Sequence, residues 1–220
     1  MLSLRDGYKT VTVENTSLIA TGAGNTQVFT VGANTPQTTD ITFDGCTLTA
    51  SQAGYGIITF NPVDLTISNT KISGYSALYI KGIDYSAGSS NSKITIDNGS
   101  VLTSAGIAGP TNEFGTIVLQ NCDNVDINIS NATIDVQAAS GEPATPHSAI
   151  MYSLYADQQN GLAKNNTITF GEGSKVTTNN ENASLSDDNG QTNTINAENG
   201  TFAIAGPLFR GDQNLGTKLN

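Results

Sequence analysis

The chain has 220 residues, only 13 % of them charged, and 19 acidic against 9 basic side chains leave a net charge of −10. Nucleic acid needs a basic footprint, and anionic membranes attract clustered Lys and Arg, so this balance excludes both as electrostatic partners. Disorder is excluded as well, because Val, Ile, Leu and Phe return at fixed positions along the chain.

In chain order, a ten-residue unit occurs seven times. It reads VTVENTSLIA from Val11, ITFDGCTLTA from Ile41, LTISNTKISG from Leu65, ITIDNGSVLT from Ile94, INISNATIDV from Ile127, ITFGEGSKVTT from Ile168 with one extra residue, and INAENGTFAI from Ile195. The starts lie 30, 24, 29, 33, 41 and 27 residues apart, and self-similarity at such a period marks a repeat architecture. The first position of each unit is apolar, and so is the third (Val13, Phe43, Ile67, Ile96, Ile129, Phe170, Ala197), which predicts a strand with one buried face. A further apolar residue follows seven positions after the start: Leu18, Leu48, Ile72, Val101, Ile134 and Phe202, shifted to Val176 in the longer copy. Between them stand Asn15, Gly45, Asn69, Asn98, Asn131, Glu172 and Asn199. Asn and Gly tolerate the left-handed backbone region best, so each unit reads as strand, sharp bend, strand, with Gly173 taking the bend in the longer copy.

A third apolar segment follows each pair: VFTV from Val28, IITF from Ile57, ALYI from Ala77, TIVL from Thr116, AIMY from Ala149, SLS from Ser184 and PLF from Pro207. Three short strands in 24 or more residues describe a triangular rung whose strands stack in register at about 4.8 Å. The expected fold is all-β, a single-stranded parallel β-helix solenoid of about seven three-strand rungs forming one domain over residues 1–220, and the irregular spacing favours the right-handed form. Residues 1–7, MLSLRDG, match the third segment SLSDDNG, and Leu219 falls one shortest repeat after Ile195. The ends therefore read as uncapped, as in a segment of a longer solenoid, with open strand edges that invite end-to-end self-association. The segment has neither a signal-like start nor an apolar run of 18 residues, which reads as a soluble piece. Cys46 and Cys122 fall about three rungs, or roughly 14 Å, apart at strand spacing. A disulfide tolerates no more than about 7 Å between Cα atoms, so two free thiols are expected.

The rungs with an Asn ladder at the bend resemble right-handed parallel β-helices of the pectate-lyase-like kind. The Thr-, Asn- and Gly-rich, acidic, Cys-poor, Trp-free composition is most similar to bacterial surface proteins such as autotransporter passenger domains and adhesin-like repeat proteins. The resemblance implies an extracellular, cell-surface location. The fold it names hosts lyases, hydrolases and non-catalytic adhesins alike, so function rests on the site residues.

Enzymes of that group use clustered carboxylates with Ca²⁺ and a basic residue, or an Asn-x-Asp, Asp-Asp, Gly-His-Gly and Arg-x-Lys set on successive rungs. Here Asp187-Asp188 is an Asp-Asp pair, but the one histidine, His147, sits in Thr-Pro-His-Ser and the only arginines are Arg5 and Arg210. The expectation is a non-catalytic segment, adhesin or rigid stalk. A polysaccharide lyase or glycoside hydrolase is the alternative, since two carboxylates flanking a sugar suffice for acid and base.

No cofactor is expected; Asp123 with Asp126, and Asp187 with Asp188, supply hard oxygen ligands that suit Ca²⁺, although turn-forming Asp explains both more simply. Thr12, Thr42, Thr66, Thr95 and Thr169 align on the exposed face of the first strand, a ladder that invites an ice-binding reading but suits any exposed strand. Arg210-Gly211-Asp212 resembles an integrin-recognition tripeptide and is expected on a turn. The segments Ser104–Gly115 and Gln137–Ser148 read as stacked loops; Glu113, Phe114, Glu142 and His147 on them are the candidate contact residues for a carbohydrate or host surface protein. Gly82–Lys93 and Ala156–Thr167 read as further loops, the latter with room for one helical turn.

Overall fold

The structure, a computed structural model, describes residues 2–4, 9–22, 26–32, 37–51, 53–82, 90–105, 115–137, 148–153, 163–178, 183–187, 190–203, 209–211 and 217–220. In chain order its strands are β1 (Leu2–Leu4), β2 (Thr10–Glu14), β3 (Ser17–Ile19), β4 (Gln27–Val31), β5 (Thr39–Asp44), β6 (Thr47–Thr49), β7 (Tyr55–Thr59), β8 (Val63–Ser68) and β9 (Lys71–Gly74). There follow β10 (Ser76–Lys81), β11 (Lys93–Asp97), β12 (Val101–Ala105), β13 (Gly115–Gln120), β14 (Asp126–Ile129), β15 (Thr133–Gln137), β16 (Ser148–Ser153) and β17 (Ala163–Lys164). The last are β18 (Thr167–Phe170), β19 (Lys175–Thr178), β20 (Ala183–Asp187), β21 (Gly190–Gln191), β22 (Thr194–Asn196), β23 (Thr201–Ala203), β24 (Phe209–Gly211) and β25 (Lys218–Leu219). Among the described residues there is no helix.

The strands sort into three stacks. Sheet 1 runs β1-β4-β7-β10-β13-β16-β20-β24, sheet 2 runs β2-β5-β8-β11-β14-β18-β22-β25, and sheet 3 runs β3-β6-β9-β12-β15-β19-β23. The chain visits the sheets in turn and every neighbour within them is parallel, as in a β-helix solenoid. The apolar positions explain the stacking. Ile41, Leu65, Ile94, Ile127, Ile168 and Ile195 lie in register on sheet 2 and are buried. Phe43, Ile67, Ile96, Ile129 and Phe170 form a second buried column beside them. No unit closes a core alone; each buries its apolar face only against the next.

The bends follow the backbone preference read from the sequence, with two differences. Asn15, Gly45, Asn69, Asn98 and Asn131 have φ between 44° and 65°, and Gly173 takes 73° in place of Glu172. In the fourth unit Gly99 is left-handed too, at 81°, and Ser100 N–H closes the turn on Asp97 O at 3.0 Å. That extra bend residue moves the buried side chain on. Leu102, not Val101, stands between Ile72 and Ile134, while Val101 pairs with Lys71 and Thr133 at the surface. In the last unit Gly200 N–H bonds to Ala197 O at 3.1 Å, and Asn199 is outside the left-handed set.

A second corner precedes the first strand of the later units. Asn91, Asn124, Asn165 and Thr192 are all left-handed there. Each lies three residues before a unit start, and ahead of Ile94, Ile127 and Ile168 the residue at that spacing is asparagine. The segment Ala156–Thr167 accordingly ends in β17 and a corner; its residues 156–162 lie outside the described residues.

Sheet 1 differs from the other two. β7, β13 and β16 are buried along their whole length. Ile57, Leu78, Ile80, Ile117, Leu119 and Ile150 join the main core, while Tyr55, Ile58, Tyr75, Tyr79, Val118 and Met151 form a second cluster. The third segments are unbroken apolar runs without alternation, the pattern of strands covered on both faces.

Candidate functional surfaces

The outer face of sheet 2 is built from three columns. The middle one holds Thr12, Thr42, Thr66, Thr95, Asn128, Thr169 and Asn196 in register, so the Thr ladder exists as a continuous row. Charge borders it on both sides. Asp40, Asp64, Lys93 and Asp126 follow one another in the first column, and Glu14 and Asp44 are register partners in the third. Lys93 between Asp64 and Asp126 offsets like-charge repulsion; Glu14 beside Asp44 has no such neighbour in the column, and both stay exposed to water. The outer face of sheet 3 carries Ser17, Thr47, Lys71, Val101, Thr133, Lys175 and Thr201 in one row. Thr49, Ser73, Thr103, Asp135 and Thr177 stand in the other, where Asp135 accepts from Thr177 Oγ1 and from Gln137 Nε2 at 3.0 Å.

The second corner concentrates side-chain polarity. Outside, Asn165 Nδ2 donates to Asp123 Oδ1 at 2.9 Å, Thr192 Oγ1 donates to Asn165 Oδ1 at 2.6 Å, and Lys164 Nζ lies 3.8 Å from Asp123 Oδ2. Inside, Asn166 and Asn193 are fully buried and bonded to each other and to the backbone. Asp123 thus already has a cation and an amide, and Asp126 sits on the sheet 2 face opposite Lys93. Among the described residues no group of three His, Cys, Asp or Glu side chains gathers to hold a metal ion.

Both cysteines are buried and unpaired by disulfide. Cys46 Sγ donates to Val13 O at 3.2 Å at the first corner. Burial, with Asp123 alongside, pushes the Cys122 thiol far above the usual range, so it holds its proton and is no nucleophile.

Three described tyrosines are buried in the second cluster of sheet 1, on the face turned away from the main core. Tyr55 and Tyr79 rings are 5.4 Å apart, Tyr79 hydroxyl donates to Gln120 Oε1 at 2.5 Å, and Tyr55, Tyr75 and Tyr79 are all buried. No described outward position of sheets 2 and 3 is aromatic, so neither face offers the ring platform on which sugars stack.

Of the residues singled out in the sequence, Glu113, Phe114, Glu142, His147, Asp188 and Asp212 lie outside the described residues. Asp187 ends β20, in register with Tyr152 and Gly211. Arg210 and Gly211 belong to β24, where Arg210 pairs with Ser186; these two residues of the Arg-Gly-Asp tripeptide stand on a strand, not a turn, because sheet 1 continues through them. The strands that flank the two candidate loops are neighbours. Ala105 is in register with Gln137 and Gly115 with Ser148, so the described ends of the two segments are adjacent. Comparison of the chain with known protein families, curated proteins and solved structures found no match.

Proposed function

We propose that this chain is a rigid, non-catalytic segment of an extracellular bacterial surface protein, a stalk or adhesive surface of right-handed β-helical form. The observation that carries the reading is the unbroken parallel stack, eight strands deep in sheets 1 and 2. Such a stack resists bending because each inner strand is hydrogen-bonded on both edges and each apolar column is buried by its neighbours. The unequal repeat spacing supports the right-handed hand. Adhesive contact with a carbohydrate or host protein is assigned to the neighbouring segments 106–114 and 138–147, anchored side by side.

End-to-end association belongs to the same reading. The columns that are buried mid-stack are only half-buried at Val11, Val13 and Leu18 on one end and at Ala197 and Phe202 on the other. Leu2 is 42 % exposed and Leu219 41 %. A further layer of the same pattern at either end would bury them.

Glycan-array and host-cell binding, measured with and without residues 138–147, tests the adhesive part. Binding lost on deletion supports it, and no binding by the intact chain reduces the protein to a spacer. Release of reducing ends or unsaturated products from acidic polysaccharides, abolished by Asp187→Ala or Asp188→Ala, would overturn the non-catalytic reading in favour of a lyase or hydrolase.

A further inference from the structure

The sequence holds seven Asn-x-Ser/Thr triplets, at Asn15, Asn98, Asn128, Asn131, Asn165, Asn182 and Asn199. Such a triplet is the acceptor pattern for N-linked sugars on exported chains. Because Asn and small hydroxyl residues also serve the bends, the pattern alone selects no site; the fold does. Asn15, Asn98, Asn131 and Asn199 occupy the same first corner, the apex between sheets 2 and 3, and all four are exposed.

The four differ in what their polar groups already do. Asn98 Nδ2 donates to Ser68 Oγ at 2.7 Å, and its partner hydroxyl, Ser100, is fully buried and donates to Ile67 O at 3.1 Å. The amide and the hydroxyl of that triplet are both engaged. At Asn15, Asn131 and Asn199 the carboxamides have no hydrogen bond within the described residues, and Ser17, Thr133 and Thr201 reach the surface. Asn165 is tied to Asp123 and Thr192, and Asn128, though exposed, stands within the extended strand β14 in register with Thr95 and Thr169 and not at a bend. Asn182 lies outside the described residues.

Spacing agrees with this selection. The strands after these corners are β3, β12, β15 and β23, and β12 and β15 are adjacent. Sugars on Asn98 and Asn131 would therefore sit about 5 Å apart, too close for two rings, and Asn98 is the one withdrawn. Asn15 and Asn131 are four levels apart, about 19 Å, and Asn131 and Asn199 two levels, about 10 Å.

We propose that Asn15, Asn131 and Asn199 are N-glycan acceptors, forming a line of sugars along one edge of the stack. The inference rests on the extracellular reading. In the transfer, Nδ2 bonds to the anomeric carbon of a sugar carried on a nucleotide or lipid diphosphate. The carbon–oxygen bond to the diphosphate breaks and its electron pair leaves with the phosphate, while one amide proton passes to a base of the transferase.

The deciding measurement is peptide mapping of the chain taken from the surface of its own cells. Sugar on Asn15, Asn131 and Asn199, with Asn98 and Asn165 bare, is the expected result. Bare asparagines on a surface-displayed chain overturn this inference and leave the scaffold reading standing, whereas a chain never exported overturns the scaffold reading itself. Selectivity is read separately by treating the purified, folded chain with a soluble N-glycosyltransferase and UDP-glucose. Each of Asn15→Gln, Asn131→Gln and Asn199→Gln should lose one hexose, and glucose on Asn98 or Asn165 at equal rate overturns the geometric selection. Because Asn131→Gln strains a left-handed corner, Thr133→Val is the second variant; it removes the required hydroxyl and keeps the bend.

Discussion

Asn166 donates twice to a single atom of Asn193: its backbone N–H lies 2.9 Å and its Nδ2 3.0 Å from Asn193 Oδ1. Asn193 Nδ2 in turn donates to Ala163 O at 2.8 Å, and Asn166 Oδ1 accepts from Val125 N–H at 2.9 Å. The second corner of the later repeats is thus held from inside the solenoid by side chains that replace backbone partners lost where the strands turn.

Asn193→Ala should therefore cost more than an ordinary polar deletion. It removes the side-chain partner of the Asn166 backbone N–H and of the Ala163 carbonyl and leaves Asn166 Nδ2 only Cys122 O, at about 1–3 kcal/mol for each unsatisfied group. A loss of about 3 kcal/mol or more in urea unfolding is expected. Thr194→Ala, one residue on and half exposed, should change stability by less than about 0.5 kcal/mol.

The first corner separates left-handed from ordinary bends. Asn69→Ala should destabilise by about 1–2 kcal/mol, because alanine has no side-chain compensation at φ 47°. Asn69→Gly should stay within about 1 kcal/mol of the parent. Asn199→Ala should be nearly neutral, since that bend closes without a left-handed asparagine. Equal losses at Asn69 and Asn199 in thermal melts would contradict the assignment.

In the fourth repeat the displaced register makes opposite predictions for adjacent residues. Leu102→Ala removes a fully buried side chain and should cost about 2–5 kcal/mol. Val101→Ala, on the surface row between Lys71 and Thr133, should cost less than about 1 kcal/mol. Chemical denaturation of the two variants distinguishes them directly.

Cys122 supplies a pH dependence. Its thiol pKa is raised in the folded state by burial, and by Asp123 beyond that. The unfolded chain therefore loses this proton first, above about pH 8.5, and binds fewer protons than the folded chain at higher pH. Stability contributed by the neutral thiol is present below that pH and falls as pH rises, by up to about 1.4 kcal/mol per pH unit. The difference in melting temperature between the parent and Cys122→Ala should shrink from pH 8 to pH 10, and the folded parent should resist thiol reagents at Cys122.

A comparison of residues shows where local pattern sufficed. Ile94 and Ile96 alternate with Thr95, and that period of two settles which side chains go inward whatever the neighbours are. Asn15 and Asn131 announce their bends because few residues accept a positive φ. Tyr79 shows the limit. Its strand reads as apolar, but a run without alternation does not say that Tyr55, Tyr75 and Tyr79 form a separate cluster behind the main core. The Asp123–Lys164 contact was equally hidden, since it joins residues 41 positions apart that meet only through the register of one layer on the next.

What the amino-acid pattern determined by itself was the repeating unit: strand, left-handed bend, strand and a third apolar segment, each set by steric and burial preferences that act within about ten residues. What only the tertiary structure decided was register between repeats. Stacking placed Leu102 inside instead of Val101, moved Arg210 and Gly211 onto a strand, and supplied Asp123 with a lysine. These outcomes depend on the match between one layer and the next, because a parallel strand finds its hydrogen-bond partners a whole repeat away.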